Sequence, residues 1–105
     1  MEKVIDKIRQ FNLERDWDQF HTPENIAKSI SIEAGELLEC FQWDSEIKDK
    51  EHVCEELADV VCYSIMMADA LNVNLEDICL SKIKKNEAKY PVNKSKGKSD
   101  KYDKL

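Results

Sequence analysis

Apolar residues recur along this chain at the three- and four-residue spacing of amphipathic helices, and they predict four helices. The predicted helices cover residues 2–15, 23–41, 48–71 and 75–89. Thr22-Pro23 is a typical helix start, with a threonine as N-cap and a proline at the first helical position. Asn74 is similarly placed to cap the fourth helix. Because no segment alternates with the two-residue period of a strand, the pattern predicts an all-α fold, a bundle of about four helices.

The length of the chain indicates one small domain followed by a tail. A chain of 105 residues buries only about two-thirds of its unfolded surface, so we expect oligomerisation to stabilise the bundle. The domain is predicted to cover residues 1–92. Residues 93–105 are rich in lysine and serine, and we expect them to form a flexible tail.

The charge balance narrows the class of partner. The net charge is −6, and because residues 93–105 carry five Lys against two Asp, the rest of the chain is near −9. Such an acidic body argues against nucleic acid as a partner and suits a protein that binds metal cations. No apolar run approaches the ~20 residues that cross a membrane, and no signal peptide is recognisable, so we expect a cytoplasmic protein without a membrane partner. The four cysteines form no CxxC pair and are typical of buried thiols in a reducing compartment.

Two pairs of carboxylates carry the clearest chemical signal. Glu33 with Glu36, and Glu56 with Asp59, each have i,i+3 spacing, so both members of a pair project from one face of a predicted helix. Apolar residues surround each pair, and an unpaired buried carboxylate is strongly disfavoured. A short connection makes the second and third helices antiparallel neighbours, which brings the pairs to the same level. Four converging carboxylates predict a site for Mg²⁺ or Mn²⁺, and such ions act on nucleotide phosphates.

Other interpretations of these acids remain open or fail on spacing. Surface acids of ordinary helices are one alternative for all four, and Glu39 and Glu55 are rivals for membership by spacing alone. A dinuclear iron bundle requires Glu-x-x-His motifs. Neither His21 nor His52 stands three residues after a Glu, so the iron interpretation fails.

Aromatic residues flank the second helix at both ends. Trp17, Phe20 and His21 precede it, and Trp43 follows it. Such side chains either plug the end of a bundle or stack on a nucleobase beside the metal. Tyr63 lies one turn after Asp59 and is a further candidate for the same cavity.

A basic face on the fourth helix is a candidate phosphate contact. Lys82, Asn86 and Lys89 share that face, which is otherwise an ordinary solvated surface.

These motifs together resemble the MazG-like, all-α nucleoside triphosphate pyrophosphohydrolases. That family is marked by ExxE followed by ExxD, present here as Glu33-Ala-Gly-Glu36 and Glu56-Leu-Ala-Asp59. The small dCTP pyrophosphatase subgroup is the most similar. Its further matching segments are Arg15-Asp16-Trp17-Asp18-Gln19-Phe20-His21, Phe41-Gln42-Trp43, Ser81-Lys82, Asn86 and Lys89-Tyr90-Pro91.

The resemblance implies an activity and a role for each candidate residue. The implied reaction is hydrolysis between the α and β phosphates, with Glu33, Glu36, Glu56 and Asp59 as catalytic Mg²⁺ ligands. The residues implied to bind substrate are Trp17, Phe20, His21 and Trp43 for the base, Tyr63 near the sugar or phosphate, and Lys82, Asn86, Lys101 and Tyr102 for phosphates. Members of the family assemble as homodimers or homotetramers.

We therefore predict a Mg²⁺-dependent enzyme that converts a dCTP-like nucleoside triphosphate to its monophosphate and pyrophosphate, in nucleotide-pool house-cleaning. The rival hypothesis is a non-enzymatic helical module that binds a metal or nucleotide for regulation.

Overall fold

All regular elements in residues 1–104, the part of the chain that the computed structural model describes, are helices. The α-helices are α1 (Glu2–Glu14), α2 (Pro23–Glu39), α3 (Lys50–Ala70), α4 (Leu75–Lys89) and α5 (Val92–Ser95). Short 3₁₀ turns cover Asp18–Phe20 and Tyr102–Lys104. The predicted all-α class is confirmed, and α1 to α4 match the predicted helices to within two residues at every end.

Side-chain caps fix where three of these helices begin. The hydroxyl of Thr22 accepts a hydrogen bond from the backbone N–H of Asn25 at 3.3 Å, as its N-cap position predicts. Asn74 accepts one from the N–H of Asp77 at 2.9 Å at the start of α4. The side chain of Asp49 accepts a hydrogen bond from the backbone N–H of His52 at the start of α3. These local bonds explain why the sequence alone located the helices.

The chain divides into two compact units, of which the first comprises Met1–Asn72 and contains α1, α2 and α3. The main packing inside this unit is between α2 and α3. The guanidinium of Arg9 on α1 also donates to both carboxylate oxygens of Asp69 on α3, at 2.7 and 3.0 Å. The buried apolar side chains that the structure describes are Ile8, Ile26, Ile65 and Ala68, so the core is small.

The second unit begins at Val73 and contains α4 and α5. Within it, the rings of Tyr90 and Tyr102 meet edge to face at 6.2 Å, and the Lys89 ammonium lies 4.9 Å from the Tyr102 ring. The predicted boundary at residue 92 and the predicted flexibility of the tail stay predictions. No helix among the described residues is both long enough and apolar enough to cross a bilayer.

Most of the apolar stripe of α3 is covered by packing. The helical spacing predicts a stripe of Val53, Leu57, Val60, Val61, Ser64, Met67, Ala68 and Leu71. Ala68 is buried, and Val53, Val60, Ser64 and Met67 are half-buried. The prediction is wrong for Leu57, Val61 and Leu71, which are exposed at 51%, 37% and 54%. Glu56 lies between Val53 and Val60 at helical spacing and is half-buried, so it belongs to the covered stripe.

The prediction that the cysteines are buried is wrong for two of them. Cys54 and Cys79 are exposed, whereas Cys40 and Cys62 are half-buried. All four are free thiols. The exposed pair lies on α3 and α4, and the spacing of apolar residues did not predict this exposure.

Candidate active site

The predicted acids converge where α2 packs on α3. Glu33, in the C-terminal half of α2, offers a carboxylate oxygen within 4.8 Å of oxygens from Glu56 and Asp59 on the N-terminal half of α3. The i,i+3 spacing of Glu56 and Asp59 places both on one face of α3. We call these three residues, together with Glu36, the acidic cluster.

Mutual repulsion and burial make the acidic cluster hold protons more tightly than exposed acids do. Hydrogen bonding to Glu36, burial and repulsion from neighbouring carboxylates raise the pKa of Glu33 to about 7. Burial, followed by hydrogen bonding to Glu36, raises the pKa of Glu56 above its usual range. Because Glu36 contributes to the raised pKa of both residues, it belongs to the same cluster although it is not one of the three converging ligands.

Two atoms of the cluster show that its residues fit a bound cation. The Oε2 atoms of Glu33 and Glu56 are buried and have no hydrogen-bond partner. The imidazole of His52 lies 3.9 Å from Glu56, but His52 is more than half exposed and cannot neutralise the whole group. Buried oxygen ligands without a donor suit a hard divalent cation such as Mg²⁺ or Mn²⁺, which would neutralise the charge. The rival acids Glu39 and Glu55 are exposed and lie outside the three-ligand group.

A cavity of about 610 Å³ opens beside the acidic cluster. Asp59 is a member of the cluster and also lines the cavity. Its wall contains three of the predicted substrate-binding residues, Trp17, His21 and Tyr63. Trp17 is held by an edge-to-face contact with Phe11, whose ring lies 5.6 Å away. The size of the cavity and its aromatic wall suit a small organic ligand that reaches the cluster with an anionic end.

The N-terminal helix contributes more to this cavity than the sequence analysis indicated. Six residues of α1 line it, namely Lys3, Val4, Lys7, Ile8, Phe11 and Asn12. The apolar spacing of α1 predicts only an amphipathic packing helix. The available signal was Asn12, a polar residue four positions after Ile8 on the apolar face.

The remaining predicted substrate residues are exposed. Phe20 is 59% exposed and Trp43 is 90% exposed, and neither lines the cavity. The second unit contains the predicted phosphate contacts, and all of them are exposed, namely Lys82 and Asn86 on α4 and Lys101 and Tyr102 after α5. Their roles in binding substrate stay predictions.

Comparison with known proteins assigns this arrangement to a family. The model of the MazG-like family matches residues 28–105, which include the whole acidic cluster. The chain belongs to the MazG-like family. It is 37% identical to dCTP pyrophosphatase 1 of Mus musculus and 34% identical to dCTP pyrophosphatase 1 of Homo sapiens. Both alignments span 117 positions and cover 99% of this chain and 69% of the relative.

A solved structure supports the same assignment. The crystal structure of a pyrophosphatase from Archaeoglobus fulgidus superposes with a TM-score of 0.81 at 41% sequence identity, covering 87% of this chain and 92% of the other. Identity at this level over nearly the whole chain confirms the expected family. It also confirms the expectation of an enzyme, a nucleoside triphosphate pyrophosphohydrolase, over that of a non-enzymatic regulatory module.

Proposed function

We propose that this MazG-like enzyme depends on Mg²⁺ and hydrolyses dCTP-like pyrimidine nucleotides to the monophosphate and pyrophosphate. The observation that carries the proposal is the acidic cluster, whose three ligand oxygens lie within 4.8 Å and whose member Asp59 also lines the cavity. The preference for dCTP is supported by the names of the mouse and human relatives. Mn²⁺ is an alternative ion, because it takes the same oxygen ligands.

The residues of the acidic cluster divide the chemistry between them. Glu33, Glu56 and Asp59 would hold the metal, which supplies charge neutralisation for the phosphates when bound. Glu36 lies outside the three-ligand group, so its carboxylate stays free to accept a proton, and it is the first candidate for the base. Glu33 is the alternative base, in which case Glu56 and Asp59 would hold the metal. A water oxygen attacks one of the two phosphorus atoms that flank the α–β bridging oxygen, and one of its protons passes to the carboxylate. The bond from that phosphorus to the bridging oxygen breaks, which releases the monophosphate and pyrophosphate.

The aromatic wall of the cavity is proposed to hold the nucleobase. Trp17 offers a ring face for stacking, and Tyr63, one turn after Asp59, lies near the phosphate end. His21 has a buried Nδ1 without a hydrogen-bond partner, which leaves it available to a ligand. Trp17 and His21 form the core of the proposed base pocket, and Phe20 and Trp43 are also proposed to contact the base.

We also propose that the chain works as a homodimer or homotetramer built on its exposed apolar side chains. In the first unit, large apolar residues of α2 and α3 that remain exposed are Ile32, at 61%, Leu38, at 72%, and Leu57, at 51%. Exposed apolar surface of this kind on a unit with so small a core is typical of subunit interfaces. Size-exclusion chromatography with light scattering would measure the molecular mass in solution, and a monomeric mass at micromolar protein concentration would contradict the proposal.

Product analysis tests the activity. The protein is incubated with each dNTP and Mg²⁺, and monophosphate, pyrophosphate, diphosphate and inorganic phosphate are quantified. We expect dCTP to give dCMP and pyrophosphate, and EDTA to stop the reaction. Inorganic phosphate with diphosphate would indicate cleavage of a different bond.

Variants of the acidic cluster test the site. Glu36→Gln and Asp59→Asn are expected to abolish turnover while the far-ultraviolet circular dichroism stays helical, because each removes one carboxylate and keeps its shape. Glu39→Gln is the matched control, since Glu39 is an exposed acid of the same helix outside the cluster. Wild-type turnover in either cluster variant would refute the assignment.

A further inference from the structure

Asn12 is a buried polar residue that the proposed chemistry does not use. Its side chain lies on the last turn of α1 and the residue is only 4% exposed, the one polar residue among those described that is buried to this degree. The carboxamide oxygen Oδ1 is buried and has no hydrogen-bond partner. A buried polar atom of this kind is destabilising unless something restores its hydrogen bond.

The position of Asn12 points to a ligand. Asn12 lines the cavity of about 610 Å³ together with Trp17, Tyr63 and the cluster residue Asp59. It also lines the neighbouring cavity of about 320 Å³ with His21. The backbone carbonyl of Asn12 accepts a hydrogen bond from the Trp17 N–H at 3.0 Å, so the two side chains are held on adjacent parts of one wall.

A carboxamide suits a partner that presents a hydrogen-bond donor beside an acceptor. It presents an acceptor and a donor side by side, which complements the edge of a base that carries an amino group beside a ring nitrogen. The bidentate contact of asparagine with adenine in DNA uses the same complementarity. Cytosine offers this pattern at its 4-amino group and N3.

We propose that Asn12 is a specificity-determining residue that reads the hydrogen-bonding edge of the nucleobase. Oδ1 accepts from the 4-amino group of the cytosine ring, and the Nδ2 amide donates to N3. Because Asp59 lines the same cavity, a nucleotide whose phosphates are held at the acidic cluster presents its base to this wall. This inference rests on the proposed function, since it assigns a residue that recognises the base of the substrate bound at that same site.

Paired substrates separate base reading from a purely structural role. One substrate is dCTP, and the other is the 2-pyrimidinone deoxynucleoside triphosphate, in which hydrogen replaces the 4-amino group. Each is hydrolysed by the wild-type protein, by Asn12→Ala and by Gln10→Ala, with kcat and KM measured from pyrophosphate release. Gln10 is the control because it is an exposed amide of the same helix that lines neither cavity.

The expected pattern is a loss that depends on the substrate. Wild type and Gln10→Ala favour dCTP by about ten- to a hundredfold in kcat/KM, because an unmade hydrogen bond leaves the buried amide unpaired. Asn12→Ala removes the contact to N3 from both substrates and the contact to the 4-amino group from dCTP alone, so it lowers kcat/KM for dCTP by about ten- to a hundredfold more than for the analogue. Asn12→Asp keeps the size of the side chain and the acceptor for the 4-amino group but loses the N–H donor to N3. Because both substrates carry N3, Asn12→Asp is expected to lower kcat/KM for both and to leave their ratio near the wild-type value.

Three results would overturn the inference. Equal use of both substrates by the wild type means that the base edge is not read, and this comparison needs no variant that folds. An equal loss on both substrates in Asn12→Ala means that Asn12 acts only through the structure. Absence of pyrophosphate release from any nucleotide overturns the proposed function together with the inference, whereas release without substrate discrimination overturns the inference alone.

Discussion

Replacing Glu33 with glutamine is expected to stabilise the metal-free protein at pH 8. The ligand oxygens of Glu33, Glu56 and Asp59 lie within 4.8 Å of one another. Two unit charges at that distance repel by about 1 kcal/mol at the permittivity of water and about 3 kcal/mol at an effective permittivity of 20. Because Asp59 is exposed, solvent screening keeps the repulsion near the lower end. We therefore expect the free energy of unfolding to rise by about 1–2 kcal/mol.

The stabilisation by Glu33→Gln is expected to disappear at low pH. The pKa of Glu33 is raised from 4.5 to about 7, so between these values the folded protein binds more protons at this residue than the unfolded chain does. The free energy of unfolding of the wild type therefore falls as pH rises through that window and levels off above it. At pH 5 Glu33 already carries a proton, and the variant and the wild type are expected to be equally stable.

Urea denaturation followed by circular dichroism, in EDTA at pH 8 and at pH 5, measures the difference. Glu39→Gln is the control, because Glu39 is exposed on the same helix and we expect its effect to stay within about 0.5 kcal/mol. Saturating Mg²⁺ is expected to reverse the order at pH 8, because the wild type gains about 2.7 kcal/mol at a hundredfold excess over Kd and the variant gains less. If Glu33→Gln is no more stable than the wild type at pH 8 without metal, the repulsion argument is wrong.

The other predictions concern metal affinity, substrate binding and the core. The apparent Kd for Mg²⁺ is expected to rise by up to about tenfold per pH unit below pH 7, because binding must displace the proton of Glu33; calorimetry between pH 5.5 and 8 measures it, and a constant Kd would exclude this coupling. Trp43→Ala is expected to raise KM for dCTP and leave the melting temperature unchanged, because the side chain is 90% exposed; an unchanged KM would remove Trp43 from the base pocket. Ile26→Ala is expected to lower the free energy of unfolding by about 2–5 kcal/mol, because Ile26 is only 1% exposed; Leu13→Ala, at a position 73% exposed, is the control, and equal losses in urea denaturation would contradict the core assignment.

The helices of this protein are encoded locally, and this is why the sequence located them. The capping oxygens of Thr22 and Asn74 bond to N–H groups three residues later, so their effect needs no distant partner. The i,i+3 spacing of each acid pair likewise follows from helix geometry alone. Once α2 and α3 are antiparallel neighbours, convergence of the pairs is a short step, and the geometry agrees with it at Glu33, Glu56 and Asp59.

Other parts of the site depend on which helix faces meet, and spacing does not specify that. Glu39 and Glu55 satisfied the spacing rule as rivals, and only the packing of α2 on α3 left them exposed. The same packing covered Val53 and Val60 of the predicted α3 stripe but left Leu57 exposed, and it half-buried the acid Glu56.

The sequence by itself therefore determined the all-α class, the ends of α1 to α4 and the acid pairs that define the family, because hydrogen bonds and spacings within one helix are local. Tertiary structure decided that α1 lines the cavity, that Trp17 and Tyr63 lie on its wall while Trp43 does not, and that Asn12 is buried. Burial of a side chain is set by the free energy of packing against residues distant in sequence, and no local pattern contains that information.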